Sequence, residues 1–291
     1  MNILLLGANG QVGWELQRSL APLGNLHAAD RSQADLEHPD RLMVLVDQVQ
    51  PDVIVNAAAH TAVDRAESEP ELAHAINAEA PGLLARLAAE RGIWLVHYST
   101  DYVFDGSGTR PWTEDDATGP LSVYGRTKLA GEDAIRASGA RHLIFRTSWV
   151  YASRGNNFAR TMLRLAAERE TLRVIDDQIG APTGADLIAD VTAHALRQAM
   201  AQGITGTFHL APAGHTSWHG YAQFVFESAR RLKPGVPLKV QTVEAIPTTA
   251  YPTPAQRPLN SRLDTTRLQA TFGLQLPHWH TGVLRMLHET L

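Results

Sequence analysis

Tyr124 and Lys128 stand four residues apart in the run SVYGRTKLAGE, Ser122 to Glu132. The chain has six tyrosines and only three lysines among its 26 basic residues, so this spacing is expected by chance about 0.06 times. A lysine in an arginine-rich background marks a position suited to a compact point charge rather than a planar fork. On a helix the two side chains share one face. An ammonium within a few ångström would lower a phenol pKa of about 10 by roughly 1 to 3 pH units. The chemistry on offer is proton donation by the Tyr124 phenol to a carbonyl oxygen, a contribution of about two to four orders of magnitude in rate. If a nicotinamide lies alongside, Lys128 also bonds its ribose. Adjacent hydroxyls, Ser99 and Thr100, end the apolar run WLVHYST. Strand side chains alternate in direction, so Thr100 is expected to reach the carbonyl and Ser99 to face away.

A second constellation lies at the start of the chain. GANGQVG places Gly7, Gly10 and Gly13 directly after an apolar run and ahead of a helical pattern that begins near Gln11. Glycine there lets the backbone turn sharply and approach a pyrophosphate, which rests on the first amides of the helix. A second run, NLHAAD, ends at Asp30, where a carboxylate would bond the adenosine ribose, and the neighbouring Arg31 suits a 2′-phosphate. NADH and NADPH are both accommodated by that pair. Asp35, Leu36 and the small residues of NAAAHT, Asn56 to Thr61, give adenine and ribose a flat sheet edge to lie on.

These groups need a scaffold that brings strand ends together. Short, wholly apolar runs alternate with helical patterns up to residue 150, which predicts an α/β fold with a doubly wound parallel (Rossmann) sheet covered on both faces. Residues 151–291 loosen into helices at 157–169, 186–200 and 221–232, a strand at 207–211 and a C-terminal helix. They read as a smaller α/β substrate lobe, with a piece from about 170–205 returning to complete the first domain. The Pro/Thr-rich stretch from Ile246 to Pro258 is predicted to be loop.

Composition narrows the function classes. A formal charge of -4 gives no electrostatic pull toward nucleic acid or an anionic membrane. The absence of cysteine excludes disulfides, thiolate nucleophiles and Cys-ligated metals. The start lacks a basic leader, and its apolar run is too short for a signal or a span, so a cytoplasmic protein is expected.

Taken together, the glycine turn and the Tyr/Lys pair resemble the extended short-chain dehydrogenase/reductase family. The segments DVIVNAAAHTAVDRAESEP, HYSTDYVFDG, FRTSWVYASRGNNFARTMLRLA, DQIGAPTGADLIAD and TAYPTPAQRPLNSRLDT carry the resemblance along essentially the whole chain to its dTDP-4-dehydrorhamnose reductase branch. The resemblance implies reduction of the C4 ketone of dTDP-4-dehydro-β-L-rhamnose by NADPH or NADH, yielding dTDP-β-L-rhamnose for O-antigen and other cell-surface polysaccharide. It implies Tyr124 as proton donor, Lys128 as orienter and Thr100 as the hydroxyl on the substrate carbonyl. Gly10, Gln11 and Val12 would line the pyrophosphate, Asp30 the ribose, Asp35 and Leu36 the adenine side. Ala57, Ala58, Ala59, His60, Thr61 and Tyr98 would serve the nicotinamide half. Thr100, Asp101 and Trp149 would touch the sugar, the indole offering an apolar face to its methyl group. Asn156 and Arg257 would reach the diphosphate or the sugar.

Some members are described with magnesium at a homodimer interface, for which Asp186, Asp190 and Glu289 are the acids available. His215/His219 and His278/His280 have ligand-like spacings but no accompanying carboxylates, so no zinc site is expected. Two rival readings stay open: a related nucleotide-sugar epimerase or dehydratase, and a non-catalytic cofactor-binding regulatory subunit. A dehydratase needs an acid/base pair after the hydroxyl, where this chain has Asp101 and then Tyr102.

Overall fold

Up to residue 137 the chain repeats one step, a strand followed by helix folded back over one face of the sheet. The computed structural model describes residues 1–291. Strands β1 (Asn2–Leu6), β2 (Asn25–Ala29), β3 (Val53–Asn56), β4 (Trp94–Thr100) and β5 (His142–Thr147) alternate with helical segments. Those are α1 (Gln11–Leu20), α2 (Pro39–Val49), α3 (Val63–Ala66), α4 (Pro70–His74), α5 (Ala80–Arg91) and α6 (Val123–Ala137). A π-helical turn, Ala75–Glu79, joins α4 to α5. There follow β6 (Val150–Tyr151), α7 (Phe158–Glu168), β7 (Thr171–Ile175), β8 (Ile179–Gly180), β9 (Thr183–Gly184) and α8 (Ala185–Gln202). The chain closes with β10 (Gly206–His209), β11 (Thr216–Ser217), α9 (Trp218–Leu232), β12 (Thr242–Ile246), α10 (Thr266–Phe272) and α11 (Trp279–Thr290).

Six strands form the central sheet in the order β10-β5-β4-β3-β1-β2, every pair parallel. Alternation along β1 shows why such a strand must be apolar throughout. Ile3 and Leu5 join the core under α1 and α8, whereas Leu4 and Leu6 join the core under α2 and α5. Each such side chain, fully buried, contributes about 1.5 to 3 kcal/mol. The chain steps outward from β1 in both directions, to β2 on one side and β3 on the other. This opens a crevice at the carboxyl ends of β1 and β3, the place where open α/β sheets bind ligands.

The second lobe has its own core, built from α7, α9 and α11 around Tyr221, Phe226, Trp279 and Leu287, with β12 paired to β7. The returning piece differs from the one expected at about 170–205. Its first residues form β7 and stay in the second lobe, while Ala185–His209 goes back to the first. There α8 packs Ile188 and Leu196 against Leu16 and Leu20, and β10 sets Phe208 opposite Phe145 on β5. The parallel β10 needs a crossover helix ahead of it, and α8 is that helix. Within Ile246–Pro258 the only helical geometry after β12 is one short 3₁₀ turn, Thr248–Ala250.

Candidate active site

At the glycine turn, Gly7 has φ +81°, and a Cβ there would come within 2.8 Å of the Ala58 backbone nitrogen. A Cβ on Gly13 would lie 2.0 Å from the Gly7 carbonyl oxygen, so this glycine lets α1 close on the turn. Gly10 caps α1 without a side-chain acceptor, leaving the first amides of the helix for an anion. The cleft above the turn measures about 650 Å³. Gly7, Gly10, Gln11 and Val12 line one side, and Ala57, Ala58, Ala59 and Thr61 the other. Arg31, Asp35 and Leu36 form its outer wall, with the Arg31 side chain 73% exposed and forked onto Asp35 and Glu37. A glycine cradle, free helix-end amides and an outer arginine together fit a dinucleotide.

Three expected cofactor residues sit back from the cavity. Gly13 is a packing residue. Asp30 accepts from Asn9 Nδ2 and the Ser32 amide, both at 2.9 Å, at the rim. His60 donates its backbone N–H to Asn77 Oδ1 at 2.9 Å, and its ring faces Glu69.

At the other end of the cleft, α6 starts at Ser122, whose hydroxyl accepts the Gly125 amide at 3.2 Å. A Cβ on Gly131 would meet the Asn77 carbonyl at 2.1 Å, so the helix lies directly against the π turn. Asn77 itself bonds the His60 carbonyl and Thr127 Oγ1, tying the end of β3 to α6. Deeper in, Glu132 is clamped by Arg146 at 2.7 Å. Burial pushes the Glu132 carboxyl up, but the hydrogen bonds and charge of Arg146 outweigh it and hold the group below the usual carboxylate range.

This frame places Tyr124, Lys128 and Thr100 together on the cleft wall. The Tyr124 phenol is pushed up to about 12, chiefly by burial, which the nearby Thr100 hydroxyl partly offsets while the charge of Asp101 adds to it. The expectation that the ammonium would lower the phenol is therefore corrected. Lys128 Nζ is turned to the strand instead, 2.6 Å from the Tyr98 carbonyl and 3.2 Å from His97 Nε2. Burial brings Lys128 down to about 8, with Glu132 pulling the other way. Thr100 Oγ1 accepts the Tyr102 amide at 3.2 Å and donates to Asp101 Oδ1 at 3.1 Å. Burial raises Asp101 to about 6, offset in part by the Ser261 and Thr100 hydroxyls beside it, and its Oδ2 has no partner. Ser99 lies at the cavity border, but its hydroxyl is buried on the Glu132 side, in keeping with a side chain that faces away.

Trp149 closes the cleft opposite. Its φ of +50° is rare for a bulky residue, and its ring lies flat on Trp218 with centroids 3.5 Å apart. Asn156 is exposed outside the cavity. Its neighbour Asn157 caps α7 and donates to Gln11 Oε1 at 3.1 Å, joining the second lobe to the glycine turn. Arg257 reaches across the lobes but spends its fork on Asp64, at 2.8 and 3.1 Å.

Asp186, Asp190 and Glu289 lie apart from the cleft, each tied to an arginine: Asp186 and Glu289 to Arg285, Asp190 to Arg18. No three His, Cys, Asp or Glu side chains gather as a metal-ligand set. His219 contacts the Val243 carbonyl, and His278 accepts the His280 amide.

Sequence reasoning passed over Trp218, Asn77, Asn157, His97 and the Glu132–Arg146 pair. Glu132 carried a signal, since it follows Lys128 by four residues on the same helix. The rest owe their roles to contacts between distant segments, which leave no local pattern.

A parallel sheet in this order, a glycine cradle at its switch point and a Tyr/Lys/Thr cluster beside it define the extended short-chain dehydrogenase/reductase class. Comparison with known proteins narrows this. The family model of the RmlD substrate binding domain matches residues 1–291. The dTDP-4-dehydrorhamnose reductase of Escherichia coli (strain K12) is 60% identical over 99% of this chain and 98% of its own length. That of Salmonella typhimurium is 59% identical over the same shares of both chains. Among solved structures, the dTDP-4-dehydrorhamnose reductase of Bacillus anthracis in complex with NADP superposes with a TM-score of 0.89 at 34% identity, covering 99% of each chain. A Thermus thermophilus UDP-glucose 4-epimerase complex with NAD shares the fold at a TM-score of 0.80, with 16% identity and both chains covered fully. The chain belongs to the dTDP-4-dehydrorhamnose reductase family.

Proposed function

We propose that this protein reduces the C4 ketone of dTDP-4-dehydro-β-L-rhamnose to dTDP-β-L-rhamnose, in the cytoplasm, with NADPH or NADH as reductant. When bound, the nicotinamide supplies the hydride. The chain's own residues supply the rest. Gly7, Gly10 and the first amides of α1 hold the diphosphate. Lys128 steadies the ribose end, and Trp149 packs the sugar.

One observation carries the reading: Tyr124, Thr100 and Lys128 line the same wall of the dinucleotide cleft. A phenol held near 12 keeps its proton at neutral pH, yet gives it readily to the far more basic alkoxide that forms as hydride arrives. Thr100 orients that exchange, and Asp101 lies next to it, able to bond a sugar hydroxyl. The residue after Asp101 is Tyr102, so the carboxylate pair a dehydratase would need is missing, which favours reduction over elimination.

The test is loss of the near-ultraviolet absorbance of NADPH on adding the keto-sugar nucleotide. The wild-type protein is expected to consume NADPH, and Tyr124→Phe to lose nearly all of that activity. Turnover of the Phe variant at the wild-type rate would overturn the assignment.

A further inference from the structure

One buried titratable side chain touches the site without a role in the reading above. His97 precedes Tyr98 on β4 and is 1% exposed. Its ring lies between β3 and α6, with Nδ1 3.3 Å from Asn56 Nδ2 and Nε2 3.2 Å from Lys128 Nζ. Asn56 decides which nitrogen carries the proton. Its Oδ1 accepts the Ala58 amide at 3.2 Å, so the side facing His97 is the NH₂ donor. A donor there requires a lone pair on Nδ1, and the proton of the neutral ring then sits on Nε2. That N–H points at Lys128 Nζ, whose other bond is to the Tyr98 carbonyl. A neutral amine can donate to the carbonyl and accept from the imidazole at once. An ammonium has no lone pair with which to accept.

We propose that His97 is a positioning residue for Lys128: as the Nε2–H tautomer fixed by Asn56, it donates to the lysine nitrogen and favours the neutral amine over the ammonium. Its effect on turnover rests on the reductase reading, whereas the pairing itself does not. The ring stays uncharged, since burial holds it well below the ordinary histidine value, and any charge that Lys128 keeps acts in the same direction. Burial already draws Lys128 down, and Glu132 is the charged group pulling it back. The other titratable groups around the pair are Tyr124 on α6, Arg146 on β5, which is engaged by Glu132, and Asp101 beyond Thr100. His97 therefore tunes how readily Lys128 gives up the charge with which it would hold a cofactor ribose.

The chain has only three lysines, and Lys233 and Lys239 are exposed, so the buried Lys128 can be followed by lysine ε-¹³C NMR. In the full-length protein, ¹⁵N shifts of labelled histidine are expected to show His97 neutral with its proton on Nε2. An Nδ1–H tautomer or an imidazolium would overturn the proposal, and this measurement needs no variant. In His97→Leu the lysine resonance is expected to titrate about one pH unit higher, a tenfold change in acidity, and the alkaline limb of kcat/KM to move with it. A purely structural role predicts the opposite sign, because an apolar neighbour desolvates the ammonium further. An unchanged or lowered Lys128 titration, or a limb that stays put while the lysine moves, would contradict the positioning role. A wild-type protein that shows the tautomer and the lysine shift but never oxidises NADPH would support the pairing while removing the reductase assignment.

Discussion

The two ends of one cleft are built on different physics. At the glycine turn the ligand-facing groups are backbone amides and surface charges, with Arg31 largely in water and Asp30 at the rim. At the far end Thr100, Asp101 and Lys128 are 5%, 2% and 2% exposed, and each polar atom is held by a named partner or left conspicuously without one. Water screens the first end, so any one charge there has a small effect. The second end is shielded, and moving one proton there changes both stability and rate.

That contrast breaks first at Tyr124. Tyr124→Phe is expected to lower kcat by about 10² to 10⁴ with the fold intact, as checked by steady-state kinetics alongside circular dichroism. Next comes the ion pair behind the helix. Arg146→Met leaves Glu132 buried without its clamp and is expected to cost about 3 to 5 kcal/mol in urea unfolding, whereas an exposed pair such as Arg164 with Glu168 should cost under about 1 kcal/mol. Equal losses at the two pairs would erase the distinction between shielded and exposed charge.

Asp101 gives a pH signature. Its folded value, about 6, lies above the unfolded one, so the folded state binds more protons between the two. Its contribution to stability is complete below the ordinary carboxylate value and is lost as pH rises through about 6, a fall of roughly 3 kcal/mol. Unfolding measured across that window should show the slope, and Asp101→Asn should flatten it. The smallest effect belongs to the open end. Arg31→Ala should change the ratio of KM values for NADPH and NADH by less than about tenfold, weakening NADPH, with kcat unchanged.

Much of this was legible in the residues. The apolar runs of β1, β3, β4 and β5 announce a sheet buried on both faces, and the glycine spacing announces its switch point. Tyr124, Lys128 and Thr100 were readable from type and helical or strand spacing, and the structure brings all three to one wall. What escaped was direction and partnership. The phenol rises rather than falls because burial dominates, while the lysine nitrogen is turned to the Tyr98 carbonyl and His97. Asn157, which caps α7 and ties it to Gln11, left no local signal, since the residue that caps a helix is decided by where the helix begins. Trp218 comes from a segment 69 residues beyond Trp149, and no local pattern joins the two.

The most direct test follows the hydride. The keto-sugar nucleotide would be reduced with cofactor deuterated on the transferred face of nicotinamide C4, and the product read by proton NMR. The account predicts that the sugar H4 signal disappears, and that the product made with unlabelled cofactor shows the large H3–H4 and H4–H5 couplings of the rhamno configuration. Deuterium at another carbon, or a product carrying none, would contradict it.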